Sequence, residues 1–159
     1  MGAGKSTVGK LLASRLSFQF IDTDHFIEER SGADIPWIFD VEGEEGFRQR
    51  ETTALESLQG HTEHVVATGG GIIMREENHA LLKEIGQVFY LTASIDQLFS
   101  RTAKDKRRPL LQVSDPRKRI EQLIEIRDPL YRKVADVIVD TDGKTSKWVA
   151  QNIASHFLA

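Results

Sequence analysis

Gly2, Ala3, Gly4, Lys5, Ser6 and Thr7 are the residue types of a phosphate-binding loop that ends in Gly-Lys-Ser/Thr. In such a loop the lysine reaches β- and γ-phosphates and the hydroxyl ligates magnesium. Glycines let the backbone approach phosphate, and the following helix aims its N-terminal amides at it. A plain glycine-rich turn before a helix is the competing reading, but GKST here opens an amphipathic stretch, as the phosphate mechanism requires. The full loop pattern also places a glycine two positions before Met1 and a strand before that. The expectation is therefore a missing first strand upstream, without which residues 1–159 alone do not form a stable, active enzyme.

Further along, Asp22 and Asp24 in DTD follow a short apolar run. Two carboxylates beyond a strand's carboxyl end can hold a magnesium water shell and accept a hydroxyl proton. Asp24 as a simple helix cap is equally open. Gly69, Gly70 and Gly71 end another strand candidate and offer bare amides to a ligand, or a flexible turn. Arg48 and Arg127 are candidates for bidentate carboxylate binding. An ordinary helix-surface pair with Glu44 is the plainer reading of Arg48, and a helix C-terminal charge that of Arg127. The run KDKRRPLL (104–111) suits a mobile lid that carries an arginine to a phosphoryl group, or a solvated basic loop. The histidines are scattered, and His61 and His64 read as a surface turn. Trp37, Phe39 and Phe47 read as core, with Phe39 and Phe47 lining a pocket.

The elements that must position these groups alternate. KSTVGKLLASRL reads as a helix with Val8, Leu11, Leu12 and Leu16 on its buried face. FQFI (18–21), HVVAT (64–68), QVFYLTA (87–93) and DVIVD (136–140) read as strands. HFIEERSG, EGEEGFRQRETTALESL (42–58), EENHALLKEI and SIDQLFSRTAK read as helices, with IPWIFD (35–40) a short apolar segment between. DKRRPLLQVSDP (105–116) is unpatterned. RKRIEQLIEIRDPLYRKVA reads as a helix interrupted at Pro129, and a final helix places Trp148, Ile153 and Phe157 near one face. Alternation of strand and helix implies βαβ crossovers and a parallel sheet covered on both faces.

The chain has 159 residues, 40% hydrophobic and 28% charged, which suits one domain. Net charge is −3, so no basic field recruits nucleic acid. There is no cysteine, which excludes disulfide and thiol chemistry and fits a reducing compartment. No apolar run approaches a membrane span.

GAGKST, DTD, IFDVEGEEGFRQRE, TGGG, RRPLL and RDPLYRKVAD, in this order over residues 1–142, together resemble the shikimate kinases, proteobacterial ones above all. That resemblance implies a P-loop three-layer α/β/α fold of the nucleoside-monophosphate-kinase type. Its five-stranded parallel sheet is ordered 2-3-1-4-5, and here the first strand lies upstream of Met1. It implies a single domain over 1–159, with a substrate-binding region at about 23–58 and a lid at about 105–116. It implies ATP-dependent phosphorylation of the 3-hydroxyl of shikimate, in the route to aromatic amino acids, by a cytoplasmic monomer. Carried over by position, Lys5, Asp24 and Arg108 are catalytic. Residues 2–7 with Arg101 and Arg108 bind ATP, Arg101 beside the adenine. Asp24, Phe39, Phe47, Arg48, Gly69, Gly70, Gly71 and Arg127 bind shikimate. Ser6, and Asp22 through water, serve Mg²⁺. Another small-molecule P-loop kinase, such as a gluconate kinase, and a catalytically dead nucleotide-binding module remain the alternatives.

Overall fold

The computed structural model describes residues 2–103 and 105–158. Met1, Lys104 of the basic run and Ala159 lie outside them. The order is α1 (Lys5–Leu16), β1 (Gln19–Asp22), α2 (Thr23–Ser31), α3 (Ile35–Leu58) and β2 (His64–Ala67). A 3-10 turn (Gly70–Met74), α4 (Glu77–Ile85), β3 (Phe89–Thr92) and α5 (Ile95–Thr102) follow. A second 3-10 turn (Pro109–Leu111), α6 (Pro116–Val134), β4 (Val137–Asp140) and α7 (Ser146–Leu158) complete the chain.

All four strands read from the sequence form, and they pair in parallel as expected of βαβ crossovers. β1 runs beside β2 with Asp22 opposite Ala67, and β3 beside β4 with Thr92 opposite Asp140. Among the described residues these are two separate two-stranded sheets. Between them lies an apolar cavity of about 370 Å³, lined by Val8, Leu12, Val65, Val66, Phe89 and Leu91 among others.

Two clusters hold the molecule together. The larger joins α1, β3, β4, α5, α6 and α7 through Val8, Leu12, Leu91, Leu98, Ile120, Leu123, Val139, Val149 and Ile153. Each such side chain taken fully out of water stabilises by roughly 1.5–3 kcal/mol. The smaller cluster belongs to α2 and α3 alone: Ile27, Ile35, Ile38, Phe47 and Ala54, with Phe26 and Phe39 against it. The segment 23–58 thus packs largely on itself beside the main core.

Several local expectations are corrected. IPWIFD is not a separate segment but the first part of α3, which continues through a kink at Gly43. Gly43 has φ 72°, a left-handed conformation that favours glycine, so the kink is written into that residue. Trp37 is not core: it is 55% exposed. It stands on the side of α3 opposite the face that buries Ile35 and Ile38. Trp148 and Phe157 are also largely exposed, and only Ile153 of that trio is buried. α6 runs without interruption past Pro129. One proline removes a single backbone bond, and the helix is pinned on both sides by buried Leu123, Arg127 and Val134. The stretch 105–116 is not wholly unpatterned, since its 3-10 turn buries Leu111 in the larger core.

Candidate functional site

The loop at the start of α1 is a bare amide terminus. Gly4 is the N-cap with φ 85° and offers no side chain to the first amides of the helix. These donors are left for a ligand, and the helix dipole favours an anion there. Lys5 is half-buried rather than exposed. Burial lowers its pKa below the ordinary lysine value, with Arg108 and Arg127 pushing the same way and Asp24 opposing them. Arg101 donates to the Gly2 carbonyl at 3.1 Å and to Gln97 at 2.6 Å, so it flanks the loop from α5.

β1 delivers the aspartates. The cap of α2 is Asp22, not Asp24: its Oδ1 accepts from the Asp24 and His25 amides. Its Oδ2 accepts from Ser6 Oγ at 2.6 Å. Asp24 is thereby free of capping duty. Its Oδ1 is buried without a partner, and burial raises its pKa, reinforced by Asp22 and opposed by Lys5 and Arg108.

The triglycine turn after β2 is a contact surface rather than a hinge. The Gly69 amide donates to Thr23 Oγ1 at 3.1 Å, tying the turn to α2. A Cβ on Gly69 would lie 2.8 Å from Asp24 Oδ1 and 3.0 Å from Glu51 Oε2. A Cβ on Gly71 would lie 2.2 Å from Arg48 Nη1 and 2.3 Å from its Cζ. The guanidinium lies directly on the backbone, which no side chain permits. Gly71→Ala is therefore expected to displace Arg48 and weaken binding of an anion at this guanidinium roughly tenfold, with binding of phosphate groups at the Gly4 loop little changed; binding titrations of the two ligand types check this.

Arg48 is not a surface residue. Its Nη2 does meet Glu44 at 3.2 Å, but Nη1 meets the fully buried Glu51 at 2.6 Å. Burial pulls the guanidinium's pKa down, and the two glutamates more than reverse it. Arg127, from α6, is likewise buried, with Nε unpartnered. Burial lowers its pKa, and neighbouring Arg48 adds to the effect. Two guanidinium groups held close together in a buried space, each with an unpartnered Nε, make a place for an anion. Phe47 is buried and Phe39 half-buried, their rings 4.9 Å apart beside Arg48. Arg108, in the 105–116 segment, is bound through Nε to Asp105 at 3.0 Å. It lies near enough to bear on the titration of both Lys5 and Asp24. Its neighbour Arg107 reaches Glu28 of α2 at 3.6 Å. His61 and His64 meet only edge to face.

The structure so brings together Lys5 of α1, Asp22 at the end of β1, Asp24 of α2, Arg48 of α3, residues 69–71 after β2, Arg108 and Arg127 of α6. Two neighbours escaped the sequence reading. Glu51 sits one helical turn after Arg48, a spacing that could have drawn notice. Tyr131 donates to the Gly70 carbonyl at 2.5 Å, and nothing local in the sequence announces that contact. Among the described residues no cluster of three or more His, Cys, Asp or Glu could hold a metal ion, and no helix is long and apolar enough to cross a membrane.

Comparison with known proteins gives the family and the fold likeness. A family model described as shikimate kinase matches residues 1–157. The shikimate kinase of Thioalkalivibrio sulfidiphilus is 52% identical over 157 residues, covering 99% of this chain and 83% of the relative. That of Shewanella frigidimarina is 54% identical over 153 residues, covering 96% and 90%. Among solved structures, shikimate kinase from Acinetobacter baumannii in complex with shikimate is similar with a TM-score of 0.96 and 47% identity, covering 99% of this chain and 88% of that one. The Aquifex aeolicus shikimate kinase is similar with a TM-score of 0.85 and 34% identity, covering 99% and 92%.

Proposed function

The chain belongs to the shikimate kinase family, and from that premise we propose that it transfers the γ-phosphoryl group of ATP to the 3-hydroxyl of shikimate. The products are shikimate 3-phosphate and ADP, on the way to the aromatic amino acids. One observation carries the reading to the residues. Arg48 lies buried on the Gly71 backbone with buried Arg127 as a charged neighbour, and Lys5 of the phosphate loop feels both Arg127 and Asp24 of α2.

The division of labour follows from charge and position. Arg48, Arg127 and the Gly70 amide hold the shikimate carboxylate, with Phe39 and Phe47 walling the ring. The unpartnered Oδ1 of Asp24 accepts a hydrogen bond from the attacking hydroxyl and then its proton. Lys5, the amides of residues 2–7 and Arg108 surround the transferring phosphoryl group, where catalysis is mostly positioning and charge neutralisation. Arg101 lies beside the adenine. Ser6 Oγ and Asp22 Oδ2 form an all-oxygen pair at 2.6 Å, which fits a hard divalent cation. Magnesium held by Ser6, and by Asp22 through water, would offset phosphate charge there. The segment 105–116 closes as a lid from its anchor at Leu111 and excludes water, which protects ATP from hydrolysis. The enzyme acts as a single-domain cytoplasmic monomer.

The finer fold belongs to the same proposal. The sheet has five parallel strands in the order 2-3-1-4-5, its central strand preceding Met1 and lying between β2 and β3. The apolar cavity between those two strand edges supports this reading.

The test of the substrate is ADP release with shikimate and, separately, gluconate. Turnover with shikimate at least tenfold more efficient than with gluconate is expected; the reverse order overturns the assignment. Arg48→Lys and Arg127→Lys are each expected to raise the shikimate KM roughly tenfold, since a lost charge-assisted pair is worth ~1.5–3 kcal/mol and lysine lacks the bidentate fork. The ATP KM should move little. An ATP effect without a shikimate effect would remove both residues from the carboxylate site.

A further inference from the structure

Glu51 is the most deeply buried carboxylate of the site, and no step above uses it. Its Oε1 is bound to Arg48. Its Oε2 has no partner, and it converges with the equally unpartnered Asp24 Oδ1 on the space over Gly69. The charged groups facing it are few. From its own helix come Arg48 and, beyond it, Glu44. From α2 comes Asp24, and from α6 come Arg127 and Tyr131. α4 meets α3 through the uncharged pair Thr52–Asn78 and, at its far end, through Gln59 and Glu84; its His79 is bound through Nε2 to the Ile73 carbonyl of the 3-10 turn, which itself presents only backbone and apolar groups. Two guanidinium groups thus balance two carboxylates in a space with little water.

An arriving carboxylate adds a third negative charge and competes with Glu51 for Arg48. We propose that binding of the substrate carboxylate at Arg48 and Arg127 is coupled to uptake of one proton by Glu51, which makes substrate affinity proton-linked through this residue. The inference rests on the shikimate reading above. The proton comes from solvent and adds to a carboxylate oxygen; no bond of the substrate changes. Once protonated, Glu51 gains a donor, and Asp24 Oδ1 beside it can accept that hydrogen bond with one lone pair while keeping another for the substrate hydroxyl. The ion pair with Arg48 is exchanged for a neutral hydrogen-bonded group that leaves the guanidinium charge to the substrate.

Burial already holds the Glu51 carboxyl at about 7 in spite of Arg48, so the exchange falls in the neutral range. The sign is definite. Below that value Glu51 is already protonated and binding is tightest. Above it, each binding event must add a proton, and affinity falls by up to about tenfold per pH unit. A Glu51 that served only by holding Arg48 as an ionised partner would give the opposite slope.

Calorimetric titration of the full chain with shikimate, in phosphate and in Tris buffer near pH ~8, counts the protons from the difference in apparent heats. Uptake approaching one proton per shikimate is expected. Glu51→Gln, which mimics the protonated form, should bring the count to zero and flatten the rise of the shikimate KM between about pH 6.5 and 8.5. No uptake in the wild type, an uptake that persists in Glu51→Gln, or affinity that rises with pH overturns the inference. If the variant does not fold, the wild-type proton count and KM slope decide alone. Turnover of shikimate without proton uptake sinks this inference and spares the substrate assignment; absence of both binding and turnover sinks the two together.

Discussion

Lys5→Met is expected to lower kcat by about a hundredfold or more while the melting temperature stays level or rises. The first part follows from the loop. Lys5 stands at the first position of α1, where Gly4 leaves the amides uncapped. It shares that space with Asp24, Arg108 and Arg127. Removing one preorganised electrostatic donor typically costs 10²–10³ in rate. The second part follows from the lowered pKa. Burial disfavours the charged lysine in the folded protein relative to the unfolded chain. Such a cation costs stability at pH below its unfolded pKa, and the cost fades as pH rises through the lowered folded value toward the unfolded one. Methionine keeps most of the aliphatic stem beside Val8 and Gly9 and carries no charge. The same shift predicts that wild-type activity is lost on the alkaline side earlier than an ordinary lysine would cause. Retention of more than half of the wild-type kcat by Lys5→Met, measured by ADP release, would remove Lys5 from the phosphoryl-transfer role. A fall in melting temperature of several degrees would instead make it a structural residue.

Signals that are local and periodic were legible in the sequence. The Gly-Lys-Ser run with Val8 and Leu12 at helical spacing marks α1, and each buried-type strand shows as a short apolar run ending at a turn. What stayed hidden depends on distant partners. The continuity of α3 turns on the single dihedral of Gly43, which no pattern of types displays. Trp37 is apolar in type yet exposed, because the α2–α3 cluster is complete without it. The cap of α2 fell to Asp22 rather than Asp24, since Ser6 and two amides converge on Asp22. Arg48 shows why charge pairs mislead. Its plain helical partner Glu44 is real but secondary, whereas the buried partner is Glu51 and the floor is Gly71. A run of glycines reads as flexibility; here Gly69 and Gly71 are needed because two acids and a guanidinium occupy the places of their missing side chains.

The family motifs show that these residues occur in order; the geometry adds which of them stand within electrostatic reach of one another. Lys5, Asp24 and Arg108 bear on one another electrostatically, although they come from three elements separated by most of the chain. Changes within such a group should not add, because each residue's effect depends on the charge of the others. Arg48, Arg127 and Glu51 form a second group with its own balance. The first group should govern kcat and the second the shikimate KM.

Arg108→Ala tests that division with the largest separation. Arg108 is 40% exposed at its side chain and is held in the present conformation by Asp105, a bond along its own segment rather than to the core. An exposed pair of this kind contributes little, ~0–1 kcal/mol, and is readily exchanged for a phosphate. The rest of the segment is anchored independently through Leu111, so the substitution should leave folding intact. If Arg108 turns to the γ-phosphoryl group as charge develops on it, the interaction is stronger in the transition state than in the ground state. Arginines in this role are worth about 10³–10⁵ in kcat. A loss of kcat of at least about a hundredfold is expected even with Lys5 still in place, and neither KM should rise by more than about threefold. Arg108→Lys should recover only part of the loss, because a point charge does not reproduce the planar fork. Equal rises in the ATP KM and no change in kcat would show that Arg108 binds nucleotide uniformly, and the phosphoryl-transfer role would fall to Lys5 alone.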